Sequence, residues 1–226
     1  MEQPRLFEFR MGERSPETLV VAEANRDAAA LLTDWRNWPG GALALVGPSG
    51  SGKTHIALAW ALEVGARQLA VEASPDEAAA IFAETHALLI DDAAGADEAT
   101  LWRVLDKART EGSAVLLVGQ TSPGVWPVTL PDLRSRLAAL PVARLKEPDE
   151  ALMAVVLRRV CREQFIQLSD DAVNYLVQRL PRTFAAAQAW VAALDQELVR
   201  GAKPVSMAGA RRALQRMQAS WGGEDG

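Results

Sequence analysis

The most informative segment of this sequence is Gly47-Pro48-Ser49-Gly50-Ser51-Gly52-Lys53-Thr54. It matches the phosphate-loop (P-loop) pattern G-x-x-x-x-G-K-[ST] and lies between the apolar run 42–46 and the helical-looking run 55–64. Glycines let such a loop fold tightly round a polyphosphate, so that amide N–H groups and the next helix N-terminus point at negative charge. The order of strand, loop and helix therefore favours a nucleotide-binding α/β domain over a glycine-rich turn without a ligand.

The last residues of this loop have separate expected roles. We expect Lys53 to reach the β- and γ-phosphates of ADP or ATP, and the Thr54 hydroxyl to ligate Mg²⁺. His55 follows directly and is grouped with the loop as the last residue of the motif. It and His86 do not have the spacing of metal ligands, so we interpret them as structural and not as a metal site. The expected cofactor-binding residues here are Gly47, Pro48, Ser49, Gly50, Ser51, Gly52, Lys53, Thr54 and His55.

Two carboxylates form the second chemical element, at the end of the apolar run 86–90. In phosphate-loop proteins an acid at the end of a neighbouring buried strand completes the Mg²⁺ shell, and a second acid can orient the attacking water. Asp91 is expected to hold the metal through water, and Asp92 is the candidate catalytic base. The alternative is an acidic turn that caps the next helix, but the upstream phosphate loop favours the metal site.

A third polar group follows the next buried strand, predicted at residues 114–118. Gln120 and Thr121 follow it after Gly119, where ligands bind in open α/β sheets. Either residue could touch a γ-phosphate or the attacking water. Both could equally be turn formers ahead of Pro123, and the sequence leaves the two interpretations open.

Composition limits the class of protein. The 226 residues are 49% hydrophobic, which excludes wholesale disorder. A single cysteine, Cys161, excludes an internal disulfide framework, and a formal charge of −5 argues against a protein that mainly grips nucleic acid phosphates. Neither a signal peptide nor a run of about twenty apolar residues is visible, so we expect a cytoplasmic protein that does not enter a membrane.

The sequence predicts three regions. Residues 1–17 are expected to be an extended tail, residues 18–147 an α/β domain with a parallel sheet, and residues 148–226 a small all-helical domain. Within the α/β domain, a strand is predicted at residues 68–71, a helix at residues 75–84 with Pro75 in its first turn, and a helix from residue 97 that Gly112 closes. The helices of the last region are predicted at residues 149–164, 169–180, 183–200 and 206–220.

Three segments together resemble one known family. They are residues 47–55, residues 88–92 and Leu130-Pro131-Asp132-Leu133-Arg134-Ser135-Arg136-Leu137. They resemble the AAA+ module of the bacterial initiator DnaA, and still more closely the shorter, Hda-like members of that family. The resemblance covers nearly the whole chain, and its most telling piece is residues 130–137. It implies an AAA+ core followed by a helical lid.

The resemblance also implies a function. Hda-like proteins are regulators that act in an ADP-bound form, dock on DnaA and stimulate hydrolysis of its ATP. By its place in the motif, Arg136 would be an arginine finger acting in trans, although on sequence alone a surface arginine paired with Asp132 is the simpler interpretation. Arg182 is the candidate phosphate sensor of the lid, with a solvated helix start as the alternative. The resemblance leaves a homodimer open, and it implies no sequence-specific DNA binding.

The N-terminal tail carries a partner motif. Gln3-Pro4-Arg5-Leu6-Phe7 resembles the short peptide by which many bacterial replication proteins bind the DNA polymerase sliding clamp. Gln3, Leu6 and Phe7 are the residues that match, and Hda-like proteins carry their clamp motif at this place. The alternative is a tail whose apolar residues pack on its own domain.

Two other functions remain open at this stage. One is an ATPase that hydrolyses its own ATP as an assembly or loading factor, with Asp92 as base. The other is a DNA-tethered adaptor, which would need a basic surface. The arginine clusters available for such a surface are Arg158, Arg159 and Arg162 in one helix, and Arg211, Arg212 and Arg216 in another.

Overall fold

The computed structural model describes residues 25–194 and 204–221. They form two compact units, with the division between Lys146 and Glu147. The tail expected at residues 1–17, with its clamp motif Gln3, Leu6 and Phe7, lies outside the described residues and stays a prediction.

A five-stranded parallel sheet forms the centre of the first unit, in the order β2-β3-β4-β1-β5. Every residue of β1, β3 and β4 is buried, as expected for parallel strands covered on both faces. The strands are β1 Ala42–Val46, β2 Arg67–Leu69, β3 Ala87–Ile90, β4 Ala114–Gly119 and β5 Val142–Arg144. The predicted α/β class is confirmed.

Helices cover both faces of this sheet. They are α1 Arg26–Thr33, α2 Lys53–Val64, α3 Pro75–Glu84, α4 Glu98–Glu111 and α5 Pro131–Ala139. Leu43 and Leu45 pack in one core cluster with side chains of α1 and α2. Val115 and Leu117 pack in the other, with side chains of α3, α4 and α5. Successive side chains along each strand thus point to opposite faces of the sheet and pack in two separate cores.

Local sequence signals set several element bounds. The Ser74–Glu77 capping box, with Pro75 at the first helical position, begins α3 at the predicted residue. Gly112, at φ +68°, ends α4 as predicted. The second strand, expected at residues 68–71, lies at 67–69 instead. Its pairing runs from Arg67 opposite Leu88 to Leu69 opposite Ile90, where its partner strand ends.

The second unit is helical in its described part. Its helices are α6 Glu150–Glu163, α7 Asp170–Val177, α8 Phe184–Ala192 and α9 Met207–Trp221. Asp149, Ser169 and Thr183 cap the first three through their side chains. Of the helix predicted at 183–200, α8 covers 184–192 and ends earlier than predicted, since residues 193–194 form a turn and a bend; residues 195–203 lie outside the description. Cys161 is fully buried, and burial raises the pKa of its thiol to about 12, as suits a packing residue.

Candidate nucleotide-binding site

The loop between β1 and α2 needs its glycines for two different reasons. Gly50 and Gly52 have φ of +74° and +89°, in the left-handed region that favours glycine. Gly47 is restricted by space, because a Cβ there would lie 2.7 Å from the carbonyl oxygen of Leu145 and 3.0 Å from Ser51 Oγ. The loop backbone is therefore folded tightly against the segment that follows β5.

Lys53 begins α2 and reaches back across this loop. Its ammonium Nζ donates a hydrogen bond to the carbonyl oxygen of Pro48 at 2.8 Å. Partial burial lowers the pKa of Lys53, while the charges of Asp91 and Asp92 act in the opposite direction. The cation is thus inside the loop and within the electrostatic reach of both predicted acids.

Ser51 supplies an independent sign of a ligand. Its hydroxyl oxygen is buried and has no hydrogen-bond partner in the described part of the chain. A buried polar group of this kind is rare in native proteins and calls for an explanation. A phosphate oxygen held by the loop would accept a hydrogen bond from this hydroxyl, so the residues present fit a nucleotide phosphate.

The two acids lie at the end of β3, which β4 separates from β1. Two strand spacings put them roughly 10 Å across the sheet from the end of β1. Asp92 has φ of +52°, and its N–H donates to Asp91 Oδ1 at 3.0 Å. Asp91 is half-buried, whereas Asp92 and Thr54 are exposed.

A metal site at these acids would depend on the nucleotide. Within residues 25–194 and 204–221, no group of three or more His, Cys, Asp or Glu side chains could hold a metal ion by itself. Mg²⁺ usually keeps several waters and binds through one or two carboxylates together with substrate phosphates. Thr54 and Asp91 suit that kind of shell, and their metal role stays a prediction.

The carboxyl end of β4 also lies at this edge of the sheet. Gly119 is opposite Val46, the last residue before the phosphate loop. Gln120 after it is exposed, and the carbonyl oxygen of Thr121 accepts the indole N–H of Trp126 at 3.1 Å. This contact gives the backbone of Thr121 a structural role, and the roles of both side chains stay open.

Sequence reasoning did not single out Arg144. As the last residue of β5 it is opposite Val46 on the other side of β1, and its guanidinium donates to Ser122 Oγ at 2.8 Å. It is thus a cation at the carboxyl edge of the sheet, one strand from the phosphate loop. Only the register of β5 against β1 reveals this, and a three-residue strand is too short to predict it.

Arg136 lies on α5 and binds carboxylates of its own unit. Its Nε donates to Asp132 at 2.9 Å, and its Nη1 donates to Asp106 of α4 at 3.1 Å. These contacts raise the pKa of Arg136. The Asp132 pair was the simpler alternative predicted from the sequence, and it is present. Asp106, thirty residues upstream, was not foreseen.

Several arginines of the second unit form ion pairs, Arg182, Arg158 and Arg159 among them. Arg182 donates to Glu150 at 3.0 Å, so its role as a phosphate sensor stays a prediction. Arg158 pairs with Asp170 at 2.7 Å, and Arg159 pairs with Glu163 at 3.2 Å. These pairs reduce the basic character of that face of α6, which an adaptor bound to DNA would need.

Comparison with solved structures identifies the fold. Domain III of the replication initiation protein DnaA from Thermotoga maritima matches with a TM-score of 0.68 at 17% identity, over 88% of this chain and 94% of that domain. AMPPCP-bound DnaA from Aquifex aeolicus gives 0.62 at 17%, over 81% and 65%. The RuvB Holliday junction branch migration motor of Thermotoga maritima gives 0.60 at 19%, over 79% and 61%. The chain has the AAA+ fold.

Sequence comparisons add little to the AAA+ assignment. No protein-family model matches the sequence. An uncharacterised protein of Haemophilus influenzae (strain ATCC 51907 / DSM 11121 / KW20 / Rd) is 28% identical over 150 residues, which are 60% of this chain and 65% of that protein. The match thus spans slightly less than two thirds of the relative. In the described residues, no helix is long and apolar enough to cross a membrane.

Proposed function

We propose that this AAA+ chain binds ADP or ATP with Mg²⁺ in the loop of residues 47–54. The support is the geometry of the loop, in which Lys53 lies inside the turn and the buried Ser51 hydroxyl has no partner in the described structure. Lys53, Ser51 and the loop N–H groups would hold the phosphates, and Thr54 with Asp91 would hold the metal. Bound Mg²⁺ would offset phosphate charge.

We further propose that the protein regulates the start of DNA replication from the ADP-bound form. In this proposal it binds the sliding clamp through Gln3, Leu6 and Phe7, and it stimulates ATP hydrolysis by DnaA. The support is the AAA+ fold that it shares with DnaA, together with the sequence of residues 130–137. The DnaA structures named above show what those proteins bind, and the extension to this chain is our proposal.

The observation that carries the proposal is the placement of Arg136. Its hydrogen bonds go to carboxylates of α4 and α5 and not to the phosphate loop of its own chain. A guanidinium held in this way at the surface can meet a nucleotide bound by a second protein. An arginine finger supplied in trans accelerates phosphoryl transfer by about 10³ to 10⁵ in other systems, because it stabilises charge in the transition state.

The alternative is a self-hydrolysing AAA+ ATPase that serves as an assembly or loading factor in replication. It would use Asp92 as the base that orients water. Asp92 contributes to the field at Lys53, which keeps this alternative open. Its backbone at φ +52° also holds it in a less common conformation, which often accompanies function.

Substitution of Arg136 tests the leading proposal. The rate of release of phosphate from ATP preloaded on DnaA would be measured with the ADP-bound protein and DNA-loaded clamp. We expect Arg136→Ala to abolish the stimulation while ADP binding and clamp binding stay normal. Arg103→Ala on α4 is a matched control, because Arg103 is exposed and pairs only loosely with Asp76 at 3.9 Å. Stimulation that survives Arg136→Ala would exclude it as the finger.

A further inference from the structure

One face of α4 carries three side chains spaced four residues apart, and each binds a successive part of the segment that leads to Arg136. The first is Glu98. Its carboxylate accepts the N–H groups of Thr129 and Leu130 at 2.6 and 3.0 Å, and the Thr129 hydroxyl at 3.0 Å. These bonds fix the chain just before α5 begins.

The second side chain is Trp102. Its indole N–H donates to Asp132 Oδ2 at 2.9 Å, and the same oxygen accepts from Arg136 Nε. The Arg136 guanidinium carbon lies 5.3 Å from the centre of the Trp102 ring. The indole edge of Trp102 therefore binds Asp132, and its ring face contacts the Arg136 guanidinium.

The third side chain is Asp106, which accepts from Arg136 Nη1 and from Arg109 at 3.1 Å each. Two carboxylates, Asp106 and Asp132, thus meet two guanidinium groups, so the cluster is neutral. Among these four side chains the acids balance the arginines, and the carboxylate of Glu98 adds one negative charge to the same face of α4.

These contacts leave one part of the Arg136 guanidinium without a hydrogen bond. Nε and Nη1 are held, one face is near the indole, and Nη2 donates to no group in the described part of the chain. The side chain is 26% exposed. A guanidinium has five N–H donors in a fixed fork, so fixing two nitrogen atoms also fixes the direction of the third.

We propose that Glu98, Trp102 and Asp106 are positioning residues that hold Arg136 so that Nη2 donates to the phosphate of a nucleotide bound by a second protein. This proposal rests on the proposed function of Arg136. Holding a flexible arginine in its working geometry before the encounter removes an entropy loss from the reaction step. The three residues touch no substrate, and they act only through the arginine and its segment.

The alternative to positioning is inhibition, in which the same carboxylates keep Arg136 from reaching a nucleotide on the second protein. The two effects predict opposite results for Asp106→Asn, which keeps the shape and removes the charge. Positioning predicts that the maximal rate of DnaA-bound ATP hydrolysis falls about tenfold or more, since misplacement by about 1 Å can cost a hundredfold. The concentration of protein that gives half of the maximal effect should stay within about twofold. A rise in the maximal rate would overturn the proposal.

Trp102→Phe is the second variant, because it keeps an aromatic face beside Arg136 and removes only the bond to Asp132. We expect a smaller fall in the maximal rate of hydrolysis than for Asp106→Asn, with unchanged ADP affinity and thermal unfolding midpoint. Arg103→Ala on another face of α4 should behave as wild type. Nitrogen-15 relaxation of the Arg136 Nε–H group gives a readout that needs no partner protein. It should show a rigid side chain in the wild type and a mobile one in the Asp106→Asn, Trp102→Phe double variant.

Arg136→Ala, measured in the same assay, distinguishes failure of this inference from failure of the proposed function. If Arg136→Ala abolishes stimulation but both positioning variants equal the wild type, this inference fails and the proposed function stands. If stimulation survives Arg136→Ala, the proposed function itself fails. An Arg136 Nε–H group that stays rigid in the double variant would overturn the inference whatever DnaA does.

Discussion

Replacing Gly47 by alanine should separate the geometry of the phosphate loop from the stability of the fold. The added Cβ would lie 2.7 Å from the carbonyl oxygen of Leu145 and 3.0 Å from Ser51 Oγ. The first of these atoms belongs to the backbone and cannot rotate away, so the loop or the segment after β5 must move. Overpacking of this kind typically costs about 1–3 kcal/mol.

The loop is the freer of the two parts, since Leu145 is buried in the core. Its displacement would misalign amide groups that should bind phosphate. Hydrogen bonds to charged groups contribute about 1.5–3 kcal/mol each, so the loss of two should weaken ADP binding by roughly a hundredfold or more. Urea unfolding would measure the change in stability, and calorimetric titration with ADP would measure the change in affinity.

Gly65→Ala is the matched control for this experiment. Gly65 ends α2 at φ +71°, and an added Cβ would meet nothing within 4 Å. Left-handed strain should cost about 1–2 kcal/mol, a loss of stability similar to that of Gly47→Ala, with ADP affinity unchanged. Equal loss of ADP affinity in both variants, or normal ADP binding by Gly47→Ala, would show that the loop around Gly47 does not set the affinity for ADP.

Three further predictions concern other parts of the chain. Phe165 is 95% exposed at φ +58°, so Phe165→Gly should raise the free energy of unfolding by about 1 kcal/mol, and a loss in urea unfolding would contradict this. Replacing Leu6 and Phe7 by alanine should end co-elution with the sliding clamp and leave ADP binding intact; persistent co-elution would mean that the clamp binds elsewhere. Hydrogen bonds from the N–H groups of Thr129 and Leu130 lower the pKa of Glu98 in the folded protein. These hydrogen bonds should be complete above pH 4.3, which is about the pKa of a glutamate in the unfolded chain, and they should be lost as pH falls through the lower folded pKa. The NMR shift of the Thr129 amide should therefore titrate below the pH of about 4.3 that is usual for glutamate. A midpoint at that usual pH would count against the hydrogen bond between Glu98 and Thr129.

The sequence was sufficient to predict features that depend on neighbouring residues. The glycines of the phosphate loop, the start of α3 at Pro75 and the glycine at the end of α4 each act within a few positions, and all were predicted. The pair of Arg136 with Asp132 is also local, since the two are one helical turn apart.

Contacts between distant segments were not predictable. Asp106 is thirty residues from Arg136, and Trp102 is thirty residues from Asp132. Their meeting depends on how α4 packs on α5, which the hydrophobic pattern of one helix does not specify. Arg144 was missed for a similar reason, because its place beside Val46 follows from strand register. The side chains that surround Arg136 are thus those that required the structure, whereas Arg136 itself was predicted from the sequence.

We propose above all that this protein acts on a nucleotide held by another protein. The most direct measurement is ATP hydrolysis by DnaA with this protein, ADP and DNA-loaded sliding clamp added together, and with each left out in turn. We expect hydrolysis that needs all three components and disappears with Arg136→Ala. Absence of stimulation, with ATP turnover by this chain alone that depends on Asp92, would contradict the proposal and establish the self-hydrolysing alternative.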